Sequence, residues 1–284
     1  MTRVLVTGAT GFTARYVIPL LEARGDTVLR LSTRNCDVRN AADLREAVAS
    51  ARPQQVLHLA GTPNLDDSQA DLAQAVNVQG TINLLAACEA LPEPPRRIIV
   101  ASSCYVYGDT GHAPAHERAP LRPRGAYGRS KLDMEQAAAR WAERLPIVIV
   151  RPFNYTGVGH DERFLVPKLV RAFRSDTPDV SFVCPGVVRD FSDVRWVAAV
   201  YAALLGAGKV TGVLNVCSGK SMSLEQLIEM LAEMTGRRPR RPIAAPASDQ
   251  VSRLVGSPAR LAAAGIPFSP YSLTDTLRWM VDAR

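Results

Sequence analysis

Several residue types are scarce or badly placed for a special environment. Histidine occurs four times, and only His112 and His116 lie close together; Pro114 between them denies the helix that would align them, so no metal centre is expected. Cysteine occurs five times, as Cys36, Cys88, Cys104, Cys184 and Cys217, an odd count with no CxxC spacing. That pattern excludes a disulfide framework. With no signal peptide in view, it predicts reduced thiols in a cytoplasmic protein. No apolar run approaches the ~18 residues of a membrane span. Basic residues form no run interleaved with aromatics, and the densest group, Arg237, Arg238, Arg240 and Arg241, is broken by Pro239 and Pro242. A nucleic-acid partner is therefore not expected. The net charge of +7 suits a small anionic ligand or a merely solvated basic face. Gly and Pro are scattered without period, which excludes collagen.

What is present describes a globular chain. Its 284 residues are 47% hydrophobic and 21% charged, enough for one large domain or two lobes sharing a cleft. Short apolar runs alternate with longer amphipathic stretches. Val4–Val6, Val28–Leu31, Val56–Ala60, Arg97–Ser102 and Ile147–Arg151 read as strands. Thr13–Ala23, Ala41–Ala51, Leu72–Leu91 and Ala126–Arg144 read as helices between them. Strands alternating with helices imply crossover units and a parallel sheet, and strands this apolar imply cover on both faces. The expected fold is α/β: a Rossmann-type doubly wound parallel sheet over residues 1–154, with 187–218 returning to it, and a smaller mixed α/β substrate lobe over 155–284. In that second part Phe164–Arg174, Val194–Leu205 and Ser223–Thr235 read as helices, the last opening with the capping-box pair Ser223 and Gln226.

The first strand runs into Thr7-Gly8-Ala9-Thr10-Gly11-Phe12-Thr13-Ala14, and a helix follows. Glycine lets the backbone turn sharply and a pyrophosphate come close, and the helix N-terminus offers free N–H groups to that anion. In this strand–loop–helix context Gly8, Thr10, Gly11, Phe12 and Thr13 predict a dinucleotide site; the alternative is a tight turn without a ligand. Ala14, where a third glycine is common, is small enough to keep helix–strand contact. The second strand ends Leu31-Ser32-Thr33-Arg34, without the carboxylate that favours a free ribose hydroxyl. Ser32 and Arg34 suit a 2′-phosphate, so NADP(H) is favoured and NAD(H) stays open. Asp37 and Val38 are candidates for the adenine. Leu59, Ala60 and Gly61 would pass beneath the cofactor.

Tyr127 and Lys131 are four residues apart, on one face of a helix. A phenol has an ordinary pKa near ~10, and a nearby ammonium lowers it. Tyr127 would then pass a proton to or from a carbonyl oxygen. Ser103, just after the strand ending Ala101-Ser102, can hydrogen-bond the same oxygen.

With these residues together, the chain resembles the extended short-chain dehydrogenase/reductase family, which includes nucleotide-sugar epimerases, dehydratases and reductases. Thr7–Phe12 resembles its cofactor loop, Asn77-Val78-Gln79-Gly80-Thr81 its mid-helix motif, and Ser103-Cys104-Tyr105-Val106-Tyr107-Gly108 its catalytic serine segment. Tyr127 and Lys131 match its catalytic pair, and Lys131 would also hold the nicotinamide ribose. Arg151–Gly159 and Arg189–Val194 resemble the GDP-4-keto-6-deoxymannose reductases and their dehydratase relatives. That resemblance implies Asn154 and Arg189 along a sugar-nucleotide diphosphate and Phe164–Lys168 near the base. Two departures stand out. Cys104-Tyr105 replaces the acidic residues with which dehydratases eliminate water. Ala245-Pro246 replaces an Arg-Pro pair, for which Arg253 is a candidate substitute.

The resemblance implies an NADPH-dependent reduction of a nucleotide-linked 4-keto-6-deoxyhexose, by a homodimer paired through the 72–91 and 126–144 helices. An NAD-dependent sugar-nucleotide epimerase is the alternative. A non-catalytic NADP-binding regulator comes last, since the complete Ser103, Tyr127, Lys131 set serves no sensor.

Overall fold

The computed structural model describes residues 1–62, 67–180, 186–208, 210–239 and 251–283. Arg240, Arg241, Cys184 and the Ala245-Pro246 pair lie outside them. β1 (Arg3–Thr7) leads into α1 (Phe12–Ala23) and β2 (Thr27–Leu31) into α2 (Ala41–Ala51). β3 (Gln55–His58) precedes one long helical stretch, formed by α3 (Ala70–Ala73), a π-helical turn Gln74–Gln79 and α4 (Gly80–Glu89). β4 (Arg97–Ala101) precedes α5 (Gly125–Ala139); β5 (Ile147–Pro152) precedes β6 (Asn154–Thr156) and α6 (Leu165–Ala172). Then come β7 (Val188–Asp193), α7 (Val194–Gly206), β8 (Gly212–Val216), β9 (Ser221–Ser223) and α8 (Leu224–Thr235). β10 (Arg253–Leu254), α9 (Ala259–Ala263) and α10 (Leu273–Asp282) follow.

The main sheet is parallel throughout, in the order β2-β1-β3-β4-β5-β8. Alternation along β1 shows why its strands read as unbroken apolar runs. Val4 and Val6 join the core beneath α1 and α7, with Val17, Leu21, Val197 and Leu204. Leu5 points the other way, into the core shared with α2, α4 and α5, among Leu44, Val48, Leu84 and Met134. Both faces are thus covered, as a Rossmann-type sheet requires. A smaller mixed sheet aligns β10, β7 and β6 in parallel and adds β9 antiparallel to β7. Its core gathers Leu169, Phe173, Leu227, Leu231 and Leu277 from α6, α8 and α10.

Segment 187–218 divides between the two sheets: β7 pairs within the smaller one, whereas β8 extends the main one and α7 covers it. α5 stops at Ala139, short of Arg144. The 72–91 helix is wider at its middle because its π turn sets Asn77 inward, fully buried, to donate to Ser130 Oγ of α5 at 2.9 Å. Next to it Gly80 lets the helix press on Val38; a Cβ there would lie 2.7 Å from a valine methyl. α10 went unread in the sequence although Ser272 and Asp275 form a capping box at its start.

The order in which strands are added reverses between β1 and β3, and a crevice opens at their carboxyl ends, where ligands bind in such sheets. Thr7 Oγ1 and Thr81 Oγ1 hold the two ring nitrogens of buried His58 at 2.6 and 2.9 Å, tying β1, β3 and α4 together beneath that crevice. Leu204 is fully buried between α7 and the sheet. Leu204→Ala should lower the unfolding free energy by about 2–5 kcal/mol in chemical denaturation; a loss below about 1 kcal/mol would mean that this layer closes over the gap.

Candidate active site

A cavity of about 460 Å³ occupies the crevice. Its walls come from the Gly-rich loop, the ends of β3, β4 and β5, the start of α5, and the 154–164 segment. Gly8 has φ +65°, and a Cβ on it would sit 2.7 Å from the Ala60 nitrogen, so only glycine permits this approach of loop to strand end. Gly11 N donates to Gly8 O at 2.9 Å and closes the turn. α1 then starts with no side-chain cap and no acidic residue in its first turn. Its leading N–H groups are thus left for an anion at the cavity wall, and these features fit a dinucleotide pyrophosphate.

Of the expected cofactor residues, Gly8, Thr10, Gly11, Phe12, Thr13, Leu59, Gly61, Tyr127 and Lys131 line the cavity. Ala60 lies behind the wall, its N–H donating to Thr7 Oγ1. Ser32, Arg34, Asp37 and Val38 are outside the cavity wall. The Ser32–Asn35 turn leaves Arg34 exposed. The Asp37 carboxylate is held by Arg39 at 2.5 Å, and Val38 is buried against Gly80.

Ser103, Tyr127 and Lys131 converge in the cavity. Ser103 and Tyr127 both line the cavity, and of the groups around the phenol Ser103 does most to ease its ionisation. Lys131 Nζ is 6.0 Å from the Tyr127 ring centroid and donates to Ala101 O at 2.9 Å. Here the sequence expectation needs correction. Burial raises the Tyr127 phenol above its ordinary value, opposed chiefly by Ser103, and Lys131, which gives one proton to the Ala101 carbonyl, does not offset it. The phenol is therefore neutral at rest, a proton donor rather than a base. Burial also drops the Lys131 ammonium to about 8, against the pull of Glu135. Cys104 is 1% exposed, and burial drives its thiol far up, so it offers no acid or base at neutral pH. Tyr105, the other departure from the dehydratase pattern, sets its ring edge-on to Tyr127 at 5.9 Å.

The expected substrate residues divide. Asn154 lines the cavity, and its buried Oδ1 has no hydrogen-bond partner, as a group waiting for a ligand donor would. Arg189 is 6% exposed and donates to the carbonyls of Val188, Ser252 and Val251, away from the cavity wall. Arg253 pairs with Val188 beside it, with Nε buried and unpartnered. Phe164 lines the cavity; Lys168, one turn on, is half-buried outside it.

Sequence reasoning missed the ring column over the cavity mouth. Phe12 stacks on His160 at 4.4 Å, and His160 on Phe164 at 4.4 Å. Tyr155 beneath exchanges a 2.7 Å hydrogen bond with Thr13. The signal lay in Tyr155 and His160 flanking the glycines that follow Asn154. Among the described residues no group of His, Cys, Asp and Glu could hold a metal, and no helix is long and apolar enough to cross a membrane.

Comparison with known proteins gives this geometry its family. The profile of the NAD dependent epimerase/dehydratase family matches residues 4–217. The chain belongs to that family. GDP-6-deoxy-D-mannose reductase of Pseudomonas aeruginosa is 31% identical over 253 residues, covering 82% of this chain and 80% of the relative. A solved structure from Burkholderia cenocepacia J2315, whose description as an epimerase is itself provisional, superposes with a TM-score of 0.90 at 38% identity, covering 99% and 97% of the two chains. RMD from Pseudomonas aeruginosa, solved with NADPH, gives 0.87 at 28% identity, covering 99% and 98%. Membership brings a nicotinamide dinucleotide as the cofactor.

Burial pushes His160 down to about 4 from an ordinary ~6.5. Between those values the unfolded chain binds the proton and the folded one does not, so stability is full above ~6.5 and falls as pH drops toward 4. His160→Phe keeps a ring in the column and removes the titration. It should flatten part of the decline in Tm across this window; superimposable pH curves would show that the imidazole is not held neutral.

Proposed function

We propose that the protein reduces the 4-keto group of a nucleotide-diphospho-4-keto-6-deoxyhexose, GDP-linked by preference, using NADPH. The observation that carries this reading is Tyr127: a protonated phenol that shares the wall of a dinucleotide-shaped cleft with Ser103 and Lys131. A reduced nicotinamide dinucleotide, held by the Gly-rich loop, the start of α1 and Lys131, would supply hydride to the ketone carbon. As that C–H bond forms, Tyr127 gives its hydroxyl proton to the carbonyl oxygen and Ser103 donates a hydrogen bond to it, so the ketone gains hydride and proton and leaves as a secondary alcohol. Preorganised donors lower the barrier where negative charge grows. The Lys131 ammonium, held by Ala101 O, adds positive charge to the wall on which the phenolate is left, and its remaining protons are available to the nicotinamide ribose. Asn154 meets the sugar nucleotide from the opposite wall.

Elimination is disfavoured because no carboxylic acid stands beside Ser103; the neutral thiol of Cys104 is there instead. The preference for NADPH rests on Arg34, exposed at the end of β2, and on the absence of a carboxylate there. The GDP-linked 6-deoxy sugar comes from the similarity to the Pseudomonas aeruginosa reductase. The same reading includes a cytoplasmic homodimer paired through α4 and α5, which sedimentation measures directly.

A panel of 4-keto sugar nucleotides offered with NADPH and NADH tests the reaction. NADPH absorbance should fall with a 4-keto-6-deoxyhexose nucleotide. Purified protein carrying a full equivalent of tightly held NAD, with no net consumption, would instead establish the epimerase. Tyr127→Phe should cut turnover by about 10²–10⁴ and leave cofactor affinity unchanged; an unchanged rate would remove Tyr127 as the acid. Arg34→Ala should raise KM for NADPH about tenfold or more and leave NADH unaffected, because only the 2′-phosphate loses a charge-assisted hydrogen bond.

A further inference from the structure

Behind the cleft wall lies a buried charge network that the reduction chemistry above leaves without a role. Glu135 follows Lys131 by one turn of α5, so the two side chains share a helix face. It is 6% exposed. Ser102 Oγ donates to its Oε1 at 2.5 Å, and Arg151 grips it through Nε at 2.9 Å and a terminal nitrogen at 2.6 Å. Arg151 is 3% exposed and also donates to Tyr107 at 2.9 Å, which donates to Asn215 of β8 at 2.7 Å. One carboxylate therefore joins the helix bearing Tyr127 and Lys131, the strand end before Ser103, and the next two strands of the sheet.

We propose that Glu135 is a positioning residue that keeps the Lys131 ammonium charged and the Ser102–Ser103 strand end in place from behind the cleft. The inference rests on the reading of the cleft given above. Burying a carboxylate beside a guanidinium is costly, and a structural strut alone would be served by apolar packing. Among the described residues the other groups facing Lys131 offer it no negative charge. On α5 the nearest is the neutral phenol of Tyr127. From β3 comes His58, which burial and Lys131 together push down to about 3, so its ring is uncharged. From the π turn comes the amide of Asn77, and from β4 the Ala101 carbonyl. Asp133, further along α5, is exposed and bonded to Gln74. Arg151, the one other buried charge here, is bound directly to Glu135. Glu135 is thus the carboxylate that favours the ammonium, and it is the cause that opposes desolvation at Lys131.

The chain has four lysines, Lys131, Lys168, Lys209 and Lys220, so a ¹³Cε lysine spectrum is simple to assign. In the whole wild-type protein the Lys131 resonance should titrate near 8. In Glu135→Gln its midpoint should fall by about one pH unit or more. The alkaline limb of the reduction rate should move down with it, giving a roughly fivefold lower rate at pH 8 for a one-unit shift. Should Glu135→Gln fail to fold with Arg151 uncompensated, Glu135→Gln/Arg151→Met is compared with Arg151→Met alone, and its Lys131 midpoint should lie lower. An unmoved midpoint in folded Glu135→Gln, or equal midpoints in that second pair, overturns the proposal and leaves the reductase reading standing. Failure of every substrate in the panel overturns that reading, whereas the titration still decides the role of Glu135.

Discussion

The approach of Gly8 to the end of β3 sets the site. Backbone meets backbone there at a distance no side chain tolerates, and the Gly-rich loop folds over the point where the order of strand addition reverses. Everything else is placed by that contact. The uncapped start of α1 faces the cavity because the loop turns at Gly8 and Gly11. Leu59 and Gly61 form the opposite lip because β3 lies beside β1. Thr7 extends the same contact inward, bonding both to Ala60 and to His58. The loop, the strand end and α4 are therefore tied to one another.

Burial then decides which groups carry protons. In water a tyrosine and a lysine have similar affinities for a proton. Here desolvation separates them, raising Tyr127 and lowering Lys131, because removing water penalises whichever form is charged. The same physics silences Cys104 and keeps His58 and His160 neutral. The cleft is left with the hydroxyls of Tyr127 and Ser103, one buried cation and an unpaired amide oxygen on Asn154. An anionic, oxygen-rich ligand complements such walls; a hydrophobic one would strand their polar groups.

The parts legible in the sequence are those written in contiguous residues. The strand–loop–helix at the N-terminus, the Tyr127–Lys131 spacing and the apolar strands each depend on near neighbours, and the Ser223–Gln226 cap of α8 forms as its spacing implies. The parts that were not legible depend on residues far away in the chain. Arg189 is occupied by carbonyls at 251 and 252, which reach it only because β10 lies beside β7. The π turn at Gln74–Gln79 answers to Ser130 of α5 and so leaves no local pattern. Tyr127 illustrates the limit for chemistry: helical spacing puts Lys131 on the right face, but the Ala101 carbonyl diverts its ammonium. α10 is different, since its Ser272–Asp275 cap was readable and simply followed a stretch with little other pattern.

The stack of Phe12, His160 and Phe164 joins the first turn of α1 to the segment before α6. Each face-to-face ring contact is worth about 0.5–1.5 kcal/mol beyond its buried area. Because all three rings lie on the cavity wall, the stack fixes how far the 154–164 segment stands from α1, and with it the width of the cleft there.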